Sequence, residues 1–152
     1  MLRTLTVALL ATVCCLSAVG CGGGDKTVTD HAVLLNDADS VISRVNSFTI
    51  ELTSTVESAP DTNAGVVAAQ KLLDSRKSEL AADLAALKSD PKFQQDATAK
   101  RKWLEAEVDN TDRVSRLQVK YLDASMRDPA FKARLDKLVG DYKAMFNDSA
   151  AR

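Results

Sequence analysis

Side chains able to do chemistry are few in this sequence, and they fall into three groups. Glu105, Glu107 and Asp109 stand close together, and Glu105 and Asp109 are four residues apart, the spacing that sets two carboxylates on one helical face for acid/base work. Helices this charged produce such pairs by chance, so a solvated face is the plainer reading. His31 is the one histidine and lies beside Asp30, a pair suited at most to weak metal binding near the chain start. A single histidine cannot supply paired Glu-x-x-His motifs for di-iron or a three-His zinc site, and at position 31 it stands apart from any Ser-His-Asp triad inside a bundle. Lys100-Arg101-Lys102-Trp103 is a basic turn ending in an aromatic, chemistry that suits anionic lipid head groups or an acidic protein partner. Asp96, Glu105 and Glu107 dilute its field, and a solvated turn whose Trp packs on a neighbouring helix is the simpler account. No Gly-rich phosphate loop or nucleophile elbow occurs, and the seven aromatics of the chain are scattered without clustering. No catalytic residue, metal or cofactor is expected.

The 152 residues carry 20 Lys plus Arg against 21 Asp plus Glu, a balance without the basic footprint that nucleic-acid binding needs. With 45% apolar and 27% charged residues the chain is globular rather than disordered. Its three cysteines all lie within the first 21 residues, and four of its six glycines lie between positions 20 and 24. The start reads Met1, Leu2, Arg3, then an apolar run from Leu5 to Val19, and closes on Ala18, Val19, Gly20 and Cys21. One positive charge, a 15-residue apolar stretch and small residues before a cleavage point make a signal peptide over residues 1–20, too short for a membrane span of about 20 apolar residues.

Ala18-Val19-Gly20-Cys21 resembles the lipobox of a bacterial lipoprotein precursor, with Ala18 in place of the usual Leu. The resemblance covers the leader and tether only. It implies thioether-linked diacylation of Cys21, cleavage before it, and acylation of the freed amine by a fatty acid such as palmitate. Ordinary signal-peptidase cleavage at the same place, leaving Cys21 a free thiol, is the alternative. Cys14 and Cys15 leave with the leader, so no disulfide within the mature chain is possible. Three acyl chains, at about 0.8 kcal/mol per buried CH₂, anchor a protein permanently. In enterobacterial lipoproteins an Asp after the Cys favours the inner membrane; Gly22 stands here, which points to the outer membrane, and the periplasmic face is expected over the cell surface. Within the tether of residues 21–28, residues 22–28 span at most about 3.3–3.6 Å each, which is expected to hold the bundle within roughly 25 Å of the membrane surface.

Residues 29–148 read as helices divided by Pro60, Pro91 and Pro129. Asp90-Pro91 and Asp128-Pro129 each offer an N-cap followed by a proline at the first helical position. A first helix over about 29–58 carries Leu34, Ala38, Val41, Val45, Phe48 and Leu52, widened by Leu35, Ile42 and Val56. Residues 48–53 also permit a strand by local propensity, but the helical period runs through them. After a loop at 58–63, a second helix to about residue 88 carries Val66, Ala69, Leu73, Leu80, Leu84 and Leu87, with Arg76 and Lys77 snorkelling along the core edge. A third, over 91 to about 126 and roughly 50 Å long, carries Phe93, Ala97, Leu104, Val108, Val114, Leu117, Tyr121 and Leu122. It is weak at Asn110 and Thr111, which suit a hydrogen-bonded core layer or, less commonly, a groove. Asp96–Lys100, Asp109–Arg113, Asp112–Arg116 and Asp123–Arg127 mark its solvated face. A fourth, 129 to about 147, carries Phe131, Leu135, Leu138, Val139, Tyr142, Met145 and Phe146, and residues 149–152 form a frayed tail.

The fold expected is all-α, an antiparallel up-down bundle of four helices, or three helices with a short capping one. Permanent anchoring, a short tether and no reactive constellation point to a non-enzymatic accessory or scaffold acting on a protein partner in the envelope. The oligomeric state is left open. Two further readings are an apolar-ligand or lipid-binding bundle with room at Ala38, Ala69, Ala81 and Ala97, and an envelope inhibitor or immunity lipoprotein.

Overall fold

A computed structural model of the chain describes residues 37–148. The leader, Cys21, the tether, His31, Leu34, Leu35 and the tail at 149–152 lie outside the described residues. Among the described residues, six helices and no strand occur: α1 Ala38–Glu57, α2 Thr62–Ser89, α3 Pro91–Gln95, α4 Ala97–Lys120, α5 Leu122–Arg127 and α6 Pro129–Asp148.

In α1 the apolar period dominates β-branched propensity. Val41, Val45, Phe48, Leu52 and Val56 recur at steps of three and four, and all are buried. Thr49 and Thr53 fit the same helix because each hydroxyl donates to a carbonyl one turn back, Thr49 to Val45 O at 2.7 Å and Thr53 to Thr49 O at 2.9 Å. Aspartates start the later helices. Asp61 accepts from the amides of Asn63 and Ala64, Asp90 from Lys92 ahead of Pro91, and Asp128 from Ala130 and Phe131 ahead of Pro129.

Residues 91–126 do not form one helix. Asp96 Oδ1 accepts from Thr98 N at 2.8 Å and Ala99 N at 3.0 Å, so a fourth aspartate caps a fresh start and cuts off α3 as a short hook that tucks Phe93 into the core. Helix α4, which starts there, is about 36 Å long at 1.5 Å per residue. At Tyr121 the backbone departs from helical values, with φ −106° and ψ 25°. The i to i+4 hydrogen bonds nevertheless continue across it, from Tyr121 N to Leu117 O and from Ser125 N to Tyr121 O.

That new start also changes which face of α4 is inside. Trp103, Ala106, Asn110, Val114 and Leu117 are buried, whereas Ala97, Leu104, Val108 and Leu122, expected in the core, are exposed. The Trp103 indole carries the largest apolar area on the helix and takes the interior. Asn110 tolerates burial because its amide donates to Asn46 Oδ1 at 2.5 Å and to Ala106 O at 2.7 Å, which makes the weak middle of this helix a hydrogen-bonded core layer.

The four long helices alternate in direction along the chain. Asp39–Lys102, Asn46–Asn110 and Glu57–Lys120 pair in parallel register between α1 and α4. Arg44–Asp83 and Glu51–Arg76 are antiparallel between α1 and α2, and Trp103–Phe146 and Tyr121–Phe131 between α4 and α6. Neighbours around the bundle run α1, α2, α6, α4, so α2 and α4 lie diagonally and α3 carries the chain across. The last helix packs lengthwise on α2 and α4 rather than capping an end.

The two glycines of the helices make opposite demands. A Cβ on Gly65 would stand 2.8 Å from the carbonyl oxygen of Val56 and 2.8 Å from Ala59 Cβ, because the start of α2 lies against the end of α1. A Cβ on Gly140 meets nothing within 4 Å. Gly65→Ala is therefore expected to cost about 1–3 kcal/mol through forced displacement of backbone, and Gly140→Ala to stabilise by about 0.8–1 kcal/mol through helix propensity. Urea unfolding of the two variants beside the parent chain checks both, and equal shifts of one sign would contradict the close approach at Gly65.

Candidate functional site

The basic turn opens α4, and its side chains go in two directions. Trp103 is 3% exposed and packs against Phe146 with ring centroids 6.0 Å apart. Outside, Lys102 pairs with Asp39 at 3.1 Å, Arg101 reaches Glu105 at 3.9 Å, and Lys100 Nζ donates to Gln94 O at 2.6 Å. What the turn shows to solvent is thus three cations, each with a partner in the chain, and no aromatic. Exposed pairs of this kind are worth at most about 1 kcal/mol, so they leave the cations free to rearrange.

The three carboxylates do not converge. Glu105 and Asp109 are exposed along the outside of α4, and Glu107 is half-buried on another face. Asp109 joins Thr53, Glu57, Asp112, Arg113 and Arg116 in an open cleft of about 360 Å³ between α1 and α4. Arg116 is held there by Asp112 at 2.6 Å, the one pair of the four expected along this helix that closes. A second cleft, about 200 Å³ between α1 and α2, is floored by Phe48 and Leu80 and walled by Arg44, Glu51, Arg76, Glu79 and Asp83. Arg76 runs along it to Glu51 at 3.6 Å, as a snorkelling side chain should. Burial pushes the Asp83 carboxyl above the usual carboxylate range; Arg44, at 2.6 Å, pulls it down without cancelling that effect, and Glu79 adds to the rise. Both clefts are charged, and none of Ala38, Ala69, Ala81 and Ala97 lines either of them. Among the described residues no group of three or more His, Cys, Asp or Glu is placed to hold a metal ion, and no helix is long and apolar enough to cross a membrane.

The interior contains a constellation that spacing did not reveal. Phe48, Tyr142, Phe146 and Trp103 form a continuous row across the core, with centroid separations of 6.5, 5.4 and 6.0 Å. The aromatics scattered in sequence are therefore clustered in space. Thr49 gives its proton to Val45 O, so the Tyr142 hydroxyl is the donor in its 2.5 Å contact with Thr49 Oγ1. Burial pushes the Tyr142 phenol up to about 12, against smaller downward pulls from Thr49 and Arg113. Fully enclosed and bonded to its own core, this hydroxyl fixes the packing of α6 on α1. No signal in the sequence linked Thr49 to Tyr142, which lie 93 residues apart.

No family model, curated protein or solved structure matches the chain.

Proposed function

We propose that the protein is a lipid-anchored component of the bacterial envelope that works without catalysis, as an accessory or scaffold subunit binding other proteins through the surface of its bundle. The observation that carries this reading is Cys21, placed directly after Ala18-Val19-Gly20 at the end of an apolar leader and followed by Gly22, Gly23 and Gly24. Acylation there would attach the anchor on the N-terminal side of α1, 16 residues before the described chain begins at Asp37. With Gly22 after the anchor, the periplasmic face of the outer membrane is the site this reading favours.

A bundle that stores an apolar ligand is supported less well, because both described clefts are walled by charged side chains. Pockets for apolar ligands are concave, mostly apolar and about 300–1,000 Å³.

The anchor is tested by Cys21→Ser in the whole chain. The variant is expected to leave the membrane fraction or to stall unprocessed, as read by fractionation and by the mass of the mature chain. Unchanged membrane retention and processing would overturn the lipobox reading. The contact role is tested by crosslinking the intact protein in its own membrane and identifying what it touches; failure to recover any protein contradicts it.

A further inference from the structure

The rotation of α4 that buries Trp103 leaves a second apolar ladder on the outside of that helix, continued by the first residue of α5. Leu104, Val108, Thr111, Ser115, Val119 and Leu122 succeed one another at steps of three and four, and Leu104, Val108, Val119 and Leu122 are 59, 65, 75 and 56% exposed. Scattered apolar residues on a surface mean little, but a row of them about 27 Å long on one helical face has the form of a contact surface. Ser115 Oγ already donates to Thr111 O at 2.7 Å, so the middle of the row can be covered without stranding that hydroxyl.

We propose that a second copy of the chain covers this face, α4 against α4 and antiparallel. Two properties of the face select that occupant. The first is that the ladder reads nearly alike from either end: turned about a two-fold axis near residue 113, Leu104 meets Leu122, Val108 meets Val119 within one residue, and Thr111 meets Ser115. An isologous interface demands this self-complementarity. The second is the charge along the flank toward α1, where Glu105, Asp109 and Asp112 come first and Arg113, Arg116 and Lys120 come after. Antiparallel copies set this flank against the same flank of the partner and bring Glu105 to Lys120 and Asp109 to Arg116, whereas parallel copies set it against the partner's opposite flank and form neither pair. Asp109 has no hydrogen bond or ion pair within its own chain among the described residues and is available for such a contact. A lipid surface fits the face less well, because this flank is charge-balanced and offers no cationic excess to anionic head groups. One helix face is smaller than a standard interface of about 800 Å² per partner, so the pair is a reversible one.

The inference is independent of the anchor and is tested on the whole chain, solubilised in detergent and also in its own membrane, with a photocrosslinking residue at Ser115. The expected product is a covalent species of twice the chain mass. Val108→Glu, at an exposed position that leaves folding intact, is expected to lower its yield at least tenfold. Asp109→Arg alone and Arg116→Asp alone are each expected to lower the yield, and the two together in one chain to restore it, because the swapped charges meet again across the axis. Circular dichroism identical to that of the parent keeps these readings separate from unfolding. Crosslinks to lipid or to a different protein without the homodimer overturn the proposal, and so does a homodimer yield that ignores the single charge reversals or is not recovered by the double one.

Discussion

Trp103→Ala is expected to destabilise the bundle by about 3–5 kcal/mol, the usual cost of removing a buried large aromatic, while Leu104→Ala, one residue further on, changes stability by no more than about 0.5 kcal/mol. The contrast arises from the face that α4 turns inward: the Trp103 ring is 3% exposed and lies on Phe146, and Leu104 is 59% exposed. Truncating Trp103 opens a void between α4 and α6 at the end of the aromatic row, and Phe146 loses one side of its packing. Removing Leu104 leaves only solvent where solvent already was. Urea unfolding followed by circular dichroism measures both changes with one probe, needed because the chain has a single Trp. The reverse result, a costly Leu104→Ala beside a tolerated Trp103→Ala, would restore the core face that simple periodicity expects and would remove the outer ladder on which the proposed dimer depends.

The second large effect is a loss of stability at alkaline pH that traces to one hydroxyl. The Tyr142 phenol titrates at about 12 in the folded chain, against about 10 when unfolded. Below pH 10 the group is protonated in both states, and its contribution is fully present. Between pH 10 and 12 the unfolded chain releases this proton while the folded chain keeps it, so stability falls as pH rises, by about 2–3 kcal/mol in all. Tyr142→Phe removes that dependence. At neutral pH the variant loses about 0.5–1.5 kcal/mol with the bond to Thr49, and Thr49 itself is not stranded, because its hydroxyl donates to Val45 O. Denaturant midpoints of the two chains from pH 8 to pH 12 are expected to converge and then cross, because the parent loses more at high pH than the bond to Thr49 contributes at neutral pH. Parallel decline in both would mean that the phenol is not enclosed as described.

Much of the helical layout is legible in the sequence because its signals are local. Asp90-Pro91 and Asp128-Pro129 start α3 and α6 as capping chemistry requires, and the stripes of α1, α2 and α6 lie in the core position by position. Residues 91–126 depart from the expected single helix for two connected reasons. Asp96 reads as the first member of an Asp96–Lys100 surface pair, yet its carboxylate serves the backbone of α4 instead, and Lys100 reaches Gln94 O. A helix restarted there has a new phase. With apolar residues on two faces of α4, period alone cannot say which of them is inside; the volume of Trp103 and the availability of Asn46 to Asn110 decide it, and both act across space.

The same division separates what the sequence by itself determined from what only the tertiary structure decided. Helix content, the starts of α2, α3 and α6 and the pattern of three stripes come from capping, proline and periodicity, which act within a few residues and need no fold. The lipobox likeness at Cys21, and the leader it implies, are an expectation from the sequence alone. Which helices are neighbours, which face of α4 is free, and the meeting of Phe48, Tyr142, Phe146 and Trp103 depend on contacts between residues far apart in the chain. Such contacts are selected by volume and by hydrogen-bond partners that become available only once the helices have packed.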